Sequence, residues 1–151
     1  MLTRYNYYLI TILVLLDQST KWLAQLNLKF FESVIIIPKI LSFDLVHNYG
    51  AAYGILQNQR IFLLIVTTIV IVGGLLFAKQ IIQSRFSHYG LIFLLTGAIG
   101  NGIDRLILGY VIDFINIKIF PVFNFADIFI DIAVGCFIID MIMNGKKTTQ
   151  K

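Results

Sequence analysis

Two aspartates, Asp113 and Asp127, lie fourteen residues apart in VIDFINIKIFPVFNFAD, with Pro121 between them. The proline rules out one continuous helix over this stretch. The chain can therefore fold back and bring the two carboxyl groups together. Close carboxylates do not both ionise easily, and they share a proton. One can then act as general base on a water, while the other, protonated, polarises a carbonyl and later protonates a leaving amine. No metal is needed for such chemistry. At this level Asp127 keeps a second reading. Asn124 could cap a helix that starts beside it, and Asp127 would then only complement the helix dipole. Asp104, in AIGNGIDRL, is likewise open: it is either a further catalytic candidate or part of a corner where it pairs with Arg105.

Other constellations are less complete. Asp17 and Lys21 are spaced i, i+4 and can pair on one helix. Ser19 and Lys21 point to different faces, which excludes a local Ser–Lys dyad. His47 and His88 are isolated, without HExxH spacing, so a zinc site is not expected. His47 reads as a loop histidine beside an outer sheet and His88 as an interfacial residue. There is no Gly-rich phosphate loop and no basic run with interleaved aromatics, so no nucleic-acid partner is expected. Cys136 is the only cysteine, so no internal disulfide can form.

Stepwise apolar segments would have to hold these groups. Of the 151 residues 58% are hydrophobic and only 13% charged, against about 25% charged in soluble domains. Mean hydropathy is +0.86. The composition is that of a membrane protein. Four segments are long enough to cross a bilayer, which takes roughly 20 residues: about 5–26, 61–78, 89–108 and 126–143. Between the first two, about 27–60, ESVIIIP and ILSFDLVH read as short strands around Pro38. The expected fold is an all-α membrane protein, a four-transmembrane-helix bundle with a small β-rich outer loop, forming one domain over 1–151. The first segment resembles a signal peptide, but Asp17 and Lys21 interrupt it, so it is read as an uncleaved helix. The tail NGKKTTQK reads as a solvated end.

Four spans put both termini on one side, with Arg4, Lys79, Arg85, Lys146, Lys147 and Lys151. The Lys/Arg bias favours cytoplasmic termini. Charged groups inside spans are costly and mark function by default. In this orientation Asp17, Lys21, Asp104, Arg105, Asp113, Asp127 and Asp131 all converge on the outer side. Asp140 alone lies toward the inner side. Gly97, Gly100 and Gly102 would let helices approach closely there.

Five ordered blocks give this pattern an identity at family level: DQSTK (Asp17–Lys21), NYGAAYGI (Asn48–Ile55), GNGIDR (Gly100–Arg105), VIDF (Val111–Phe114) and FNFAD (Phe123–Asp127). Together they resemble lipoprotein signal peptidase, the signal peptidase II type of aspartyl peptidase, along most of the chain. The resemblance implies an intramembrane endopeptidase that removes the signal peptide from bacterial prolipoproteins, cutting before a diacylglyceryl-modified cysteine. It implies that Asp113 and Asp127 are the catalytic pair. Asn48, Gly50, Asn101, Arg105 and Asn124 would support the site and hold the substrate backbone, Asp104 would position Arg105 and the loop, and Asp17 and Lys21 would be structural. The substrate peptide and membrane lipid are the implied partners, a monomer is expected and no cofactor. The site would lie near the outer leaflet of the bacterial cytoplasmic membrane.

Two departures stand out. Tyr49 and Tyr53 occupy positions where the family usually has Thr and Phe, but Gly50, Ala51 and Ala52 are kept and activity is expected to survive. Asp131 is an extra acid one turn after Asp127. It would either perturb the shared proton or face Arg105 or water. A proton-coupled transporter is the alternative function, with the acids as a relay, and a non-enzymatic assembly protein is a third.

Overall fold

The computed structural model describes residues 2–148. It is mostly helical with one three-stranded sheet. The order is α1 (Arg4–Asn27), β1 (Ser33–Ile37), β2 (Leu41–Asn48), a single 3₁₀ turn (Ala52–Gly54), α2 (Arg60–Leu76), a short α3 (Ala78–Ile81), α4 (Arg85–Ile107), β3 (Val111–Ile117) and α5 (Phe125–Thr148). Each of the four expected helices is present, with ends shifted by a few residues. The largest shift is at α5, which continues past Met143 to Thr148, running through Asn144 and Gly145, residues that often end a helix. The expected solvated tail therefore begins inside this helix, and its residues 149–151 lie outside the described residues.

By length and composition only α4 is both long and apolar enough to cross a bilayer. Helix α2 is apolar but shorter, with 17 residues. Helices α1 and α5 reach 24 residues each but carry Asp17 and Lys21, and Asp127, Asp131 and Asp140. The polar groups of α1 are turned inward: Asp17 and Lys21 are buried while Leu15, Leu16 and Leu23 are exposed. Helix α4 is the hub and packs against α1, α2 and α5. At the end away from the sheet the contacts are apolar: Ile10, Ala78, Leu91, Ile92 and Leu95 form the buried cluster. Ser84 caps α4 by accepting from the Phe86 and Ser87 amides, and its hydroxyl donates to Asp140 of α5. Asp140 is thus a tie between helix ends.

At the sheet end the helices come closer than side chains usually allow. A Cβ on Gly97 would sit 2.4 Å from the Ala126 carbonyl oxygen, and one on Gly100 would sit 2.6 Å from an Asp17 carboxylate oxygen. Gly97 lets α4 meet the first turn of α5 at backbone distance, and Gly100 makes room for the Asp17 carboxylate of α1. Arg60, at the start of α2, donates through Nε to the Arg105 carbonyl (2.7 Å) and through its other guanidinium nitrogen to that of Leu106 (2.8 Å). It thereby satisfies carbonyls that the end of α4 leaves open. Gly109 follows with φ +89°, the left-handed turn after a helix end that glycine adopts without strain, and the chain enters β3.

The two strands read around Pro38 are β1 and β2. The stretch holding Asp113 is β3, and the sheet order is β1-β2-β3, all antiparallel. The β2–β3 register sets Val46 opposite Asp113 and Asn48 opposite Val111. β1 is the exposed edge, apolar on both faces.

Candidate active site

The polar groups singled out from the sequence meet where α1, α4, β3 and the start of α5 converge. Lys21 lies at the base, about 1% exposed, with Nζ 2.9 Å from both Asp17 and Asp104. The expected Asp17–Lys21 pair is therefore part of a triad. Asp17 also accepts from the Ala126 amide (2.9 Å), tying α1 to the first turn of α5. Asp104 is bonded to groups other than Arg105: besides Lys21 it accepts from Gln18 Nε2 (2.9 Å) and from the Ile112 amide (3.2 Å), which anchors the start of β3. Both its oxygens are thus engaged by structural partners, and it is not among the residues lining the groove in front of Asp113 and Asp127, which weighs against the reading of Asp104 as a reacting group. Gln18 also donates to the Gly100 carbonyl (3.1 Å). Sequence reasoning passed over Gln18, although it lies inside the DQSTK block, because a lone glutamine carries no chemical signature.

Above this base stand three asparagines, each held in one orientation by a group that can only donate. The Asn101 Oδ1 accepts from Lys21 Nζ (3.0 Å) and from Asn124 Nδ2 (3.1 Å), so Asn101 Nδ2 donates to Asp127 Oδ1 (2.8 Å). The Asn124 Oδ1 accepts from the Asp127 amide (3.0 Å), and the Asn124 amide donates to Asp127 Oδ2 (3.1 Å). This reciprocal pair is a capping box at the start of α5, so Asn124 caps the helix as its position suggested. Its Nδ2 donates to Asp113 Oδ1 (2.7 Å). Asn48 Oδ1 accepts from the Gly50 amide (2.9 Å), leaving Nδ2 to donate to Asp113 Oδ2 (3.0 Å).

Asn124 therefore bridges the two aspartates, and both expectations for Asp127 hold at once: it sits in a capped first turn and beside Asp113. Each of the four carboxyl oxygens receives one N–H from the protein. Among the described residues none of these partners offers an acceptor to a carboxyl proton. Such a proton can be shared only between the two carboxyls or directed at what occupies the space in front of them. Burial first, and then the Asp127 charge, push the Asp113 carboxyl up to about 7, against the pull of the Asn48 and Asn124 donors and of Lys21. Asp113 thus holds its proton at pH values where an ordinary aspartate has lost it.

The space in front is an open groove of about 1140 Å³, with Asp113, Asp127 and Arg105 on its wall together with Tyr53, Phe120 and Ile128. Arg105 donates to the Gly50 carbonyl (3.0 Å) and fixes the loop that follows β2. Gly50 cannot be larger: a Cβ would lie 2.5 Å from the Ile55 carbonyl. Tyr53 is exposed, with φ 59°. Asp131 is exposed and also lines the groove, one turn beyond Asp127, and is not ion-paired with Arg105. His47 stacks on Tyr110 at 3.8 Å between ring centres, so this histidine belongs to β2 and to an aromatic cluster at the groove's edge.

The fold is that of a bacterial membrane enzyme. Two solved structures described in those words match it: one with a TM-score of 0.90 over 97% of this chain and 93% of the other, one with 0.78 over 91% and 92%, each 32% identical. The chain belongs to the signal peptidase II family, whose model, described as signal peptidase (SPase) II, matches residues 9–143. Lipoprotein signal peptidase of Brevibacillus brevis is 40% identical over 93% of this chain and 97% of its own length. Those of Shouchella clausii and Halalkalibacterium halodurans are 41% and 36% identical, over 93% and 96% of this chain and 94% and 97% of their own lengths.

Proposed function

We propose that this protein removes signal peptides from prolipoproteins with Asp113 and Asp127 as an aspartic catalytic pair. The first part follows from its family and its relatives. Neither the family nor the site gives support to a proton-coupled transporter: the buried acids form one cluster at the sheet end, and Asp140 is bonded to Ser84 and Asn144. The observation that carries the catalytic assignment is the Asn124 bridge, which joins two buried carboxyls at the wall of a groove while surrounding them with donors only.

In the mechanism a water lies between the two carboxyls. Asp113, protonated to about pH 7, donates toward the scissile carbonyl oxygen. Asp127, ionised, takes a proton from the water as its oxygen attacks the carbonyl carbon. Collapse of the tetrahedral intermediate breaks the C–N bond; the proton taken up by Asp127, rather than that of the polarising carboxyl, passes to the leaving amine, and Asp113 keeps its own proton, so the pair returns to its starting state. Asn48, Asn101 and Asn124 keep the carboxyls in place, and Arg105 with Gly50 fixes the loop over the groove. Asp17, Lys21 and Asp104 are bonded away from the groove and serve as its foundation.

The single domain spans the bacterial cytoplasmic membrane as a monomer through α1, α2, α4 and α5, with both termini cytoplasmic and the sheet outside. The exposed apolar belt of α1 and α2 and the Lys/Arg bias support this. The carboxyls then lie near the outer leaflet. A diacylglyceryl-cysteine is held at that depth by its chains, each buried CH₂ contributing about 0.8 kcal/mol, and the bond before it reaches the groove. Neither a metal nor nucleic acid has a part in this reading.

The test is cleavage of a diacylglyceryl-modified prolipoprotein by purified protein in detergent, with Asp113→Asn, Asp127→Asn and Asp104→Asn, each checked for folding. Loss of cleavage in the first two, with residual cleavage in folded Asp104→Asn, supports the pair. If Asp113→Asn still cuts and folded Asp104→Asn does not, the pairing is wrong.

A further inference from the structure

We infer that Lys21 is a positioning residue for the reaction: through the Asn101 amide it delivers a positive charge to Asp127 and sets that carboxylate as the proton acceptor of the pair. The inference rests on the reading of Asp113 and Asp127 as the catalytic carboxyls.

The ammonium is buried with two carboxylates, Asp17 and Asp104, on α1 and α4. Buried ion pairs of this kind contribute little net stability, since apolar replacements are often neutral or stabilising. Lys21 neutralises the two carboxylates that tie α1 to α5 and anchor β3, and its third contact reaches further. Lys21 Nζ donates to Asn101 Oδ1 (3.0 Å), and Asn101 Nδ2 donates to Asp127 Oδ1 (2.8 Å). An asparagine flipped from this orientation would present its NH₂ to an ammonium and its oxygen to a carboxylate, and both contacts would repel. Asn124 Nδ2 is a second donor to the same Asn101 oxygen, so the amide keeps its direction without Lys21. What only Lys21 supplies is the charge. It reaches Asp127 through one hydrogen-bonded amide that is itself buried, where such chains polarise. The charged groups around it are Asp17 on α1, Asp104 and Arg105 on α4, Asp113 on β3 and Asp127 on α5.

The experiment compares Lys21→Met, Lys21→Arg and the double variant Lys21→Met/Asp104→Asn in the full-length protein in detergent. The double variant removes one cation with one anion, leaves the net charge of the cluster unchanged, and keeps the test readable if Lys21→Met alone does not fold. Per folded molecule, kcat for a diacylglyceryl-modified prolipoprotein falls about 10- to 100-fold, the range for groups that orient metal ligands, while KM changes by less than about threefold, because the binding groove is untouched. The alkaline limb of the rate profile moves to higher pH, since the Lys21 charge holds the Asp113 carboxyl down. Lys21→Arg retains the parent limb. A folded double variant with parental kcat and parental limb overturns the inference and leaves Lys21 as structure only. If instead Asp113→Asn and Asp127→Asn still cleave, it is the carboxylate pair that fails, whatever Lys21 does.

Discussion

Replacing Asp113 by Asn should uncouple stability from pH while destroying activity. The carboxyl is raised from 3.8 to about 7 by burial and by the Asp127 charge. In the unfolded chain it ionises near its ordinary value. A group whose folded pKa is raised contributes stability that is complete below the unfolded value and is lost as pH rises through the folded one. At roughly 1.4 kcal/mol per pKa unit, the full shift is worth about 4 kcal/mol. Between about pH 5 and about pH 8 the parent should lose some 2–3 kcal/mol through this group alone. Asparagine at this position has no such titration. Its NH₂ also meets a donor, Asn124 or Asn48, at a cost of about 1–3 kcal/mol that does not vary with pH. The variant should thus be less stable than the parent in acid and overtake it or draw level in mild alkali. The assay is thermal unfolding of both proteins in one detergent across this range, paired with cleavage at each pH. Parallel stability curves would refute the reasoning, because they would mean that Asp113 ionises alike in the folded and unfolded chains. Catalysis by the parent should decline above about pH 7 as Asp113 loses its proton.

Further perturbations separate the parts of the site. Asp131→Asn should leave cleavage within about threefold of the parent, since Asp131 is exposed and no hydrogen bond joins it to Asp113 or Asp127; a loss of about 100-fold or more, the scale of acid–base catalysis, would make it a participant. Asn124→Ala removes the α5 cap and leaves a donor to Asp113 missing; about 2–4 kcal/mol of stability should go, from a cap of about 1 kcal/mol and buried polar bonds of about 1–3 kcal/mol, with kcat falling more than KM rises. Gly100→Ala sets a methyl 2.6 Å from the Asp17 carboxylate, and the resulting strain of about 1–3 kcal/mol should lower Tm; an unchanged Tm would show that α1 and α4 are not packed this closely.

The long helices were legible in the chain because an apolar run shielded from water must satisfy its own backbone, and α1, α2, α4 and α5 appear where the apolar runs lie. The strands around Pro38 were legible from their β-branched residues. Local spacing likewise gave the Asp17–Lys21 pair and the Asn124 cap, both of which close over one turn. Helix ends were less legible: α5 runs on to Thr148 through Asn144 and Gly145, a pair that locally favours a helix end.

The contacts that join the buried polar cluster could not be read that way. That Asp104 binds Lys21, Gln18 and the Ile112 amide rather than Arg105 depends on how α1 and β3 meet α4. That Arg60 closes the end of α4 depends on two helices that are distant in sequence. The sequence by itself determined which residue types were present, which segments would be helices or strands, and which carboxylates were too costly to be incidental. Only the tertiary structure decided that one asparagine would bridge Asp113 to Asp127 and that three asparagines would all turn their donors the same way. An amide presents a donor and an acceptor with equal ease. Its direction is set by neighbours brought from other segments, here a lysine from α1, the Asp127 amide of α5 and the Gly50 amide after β2.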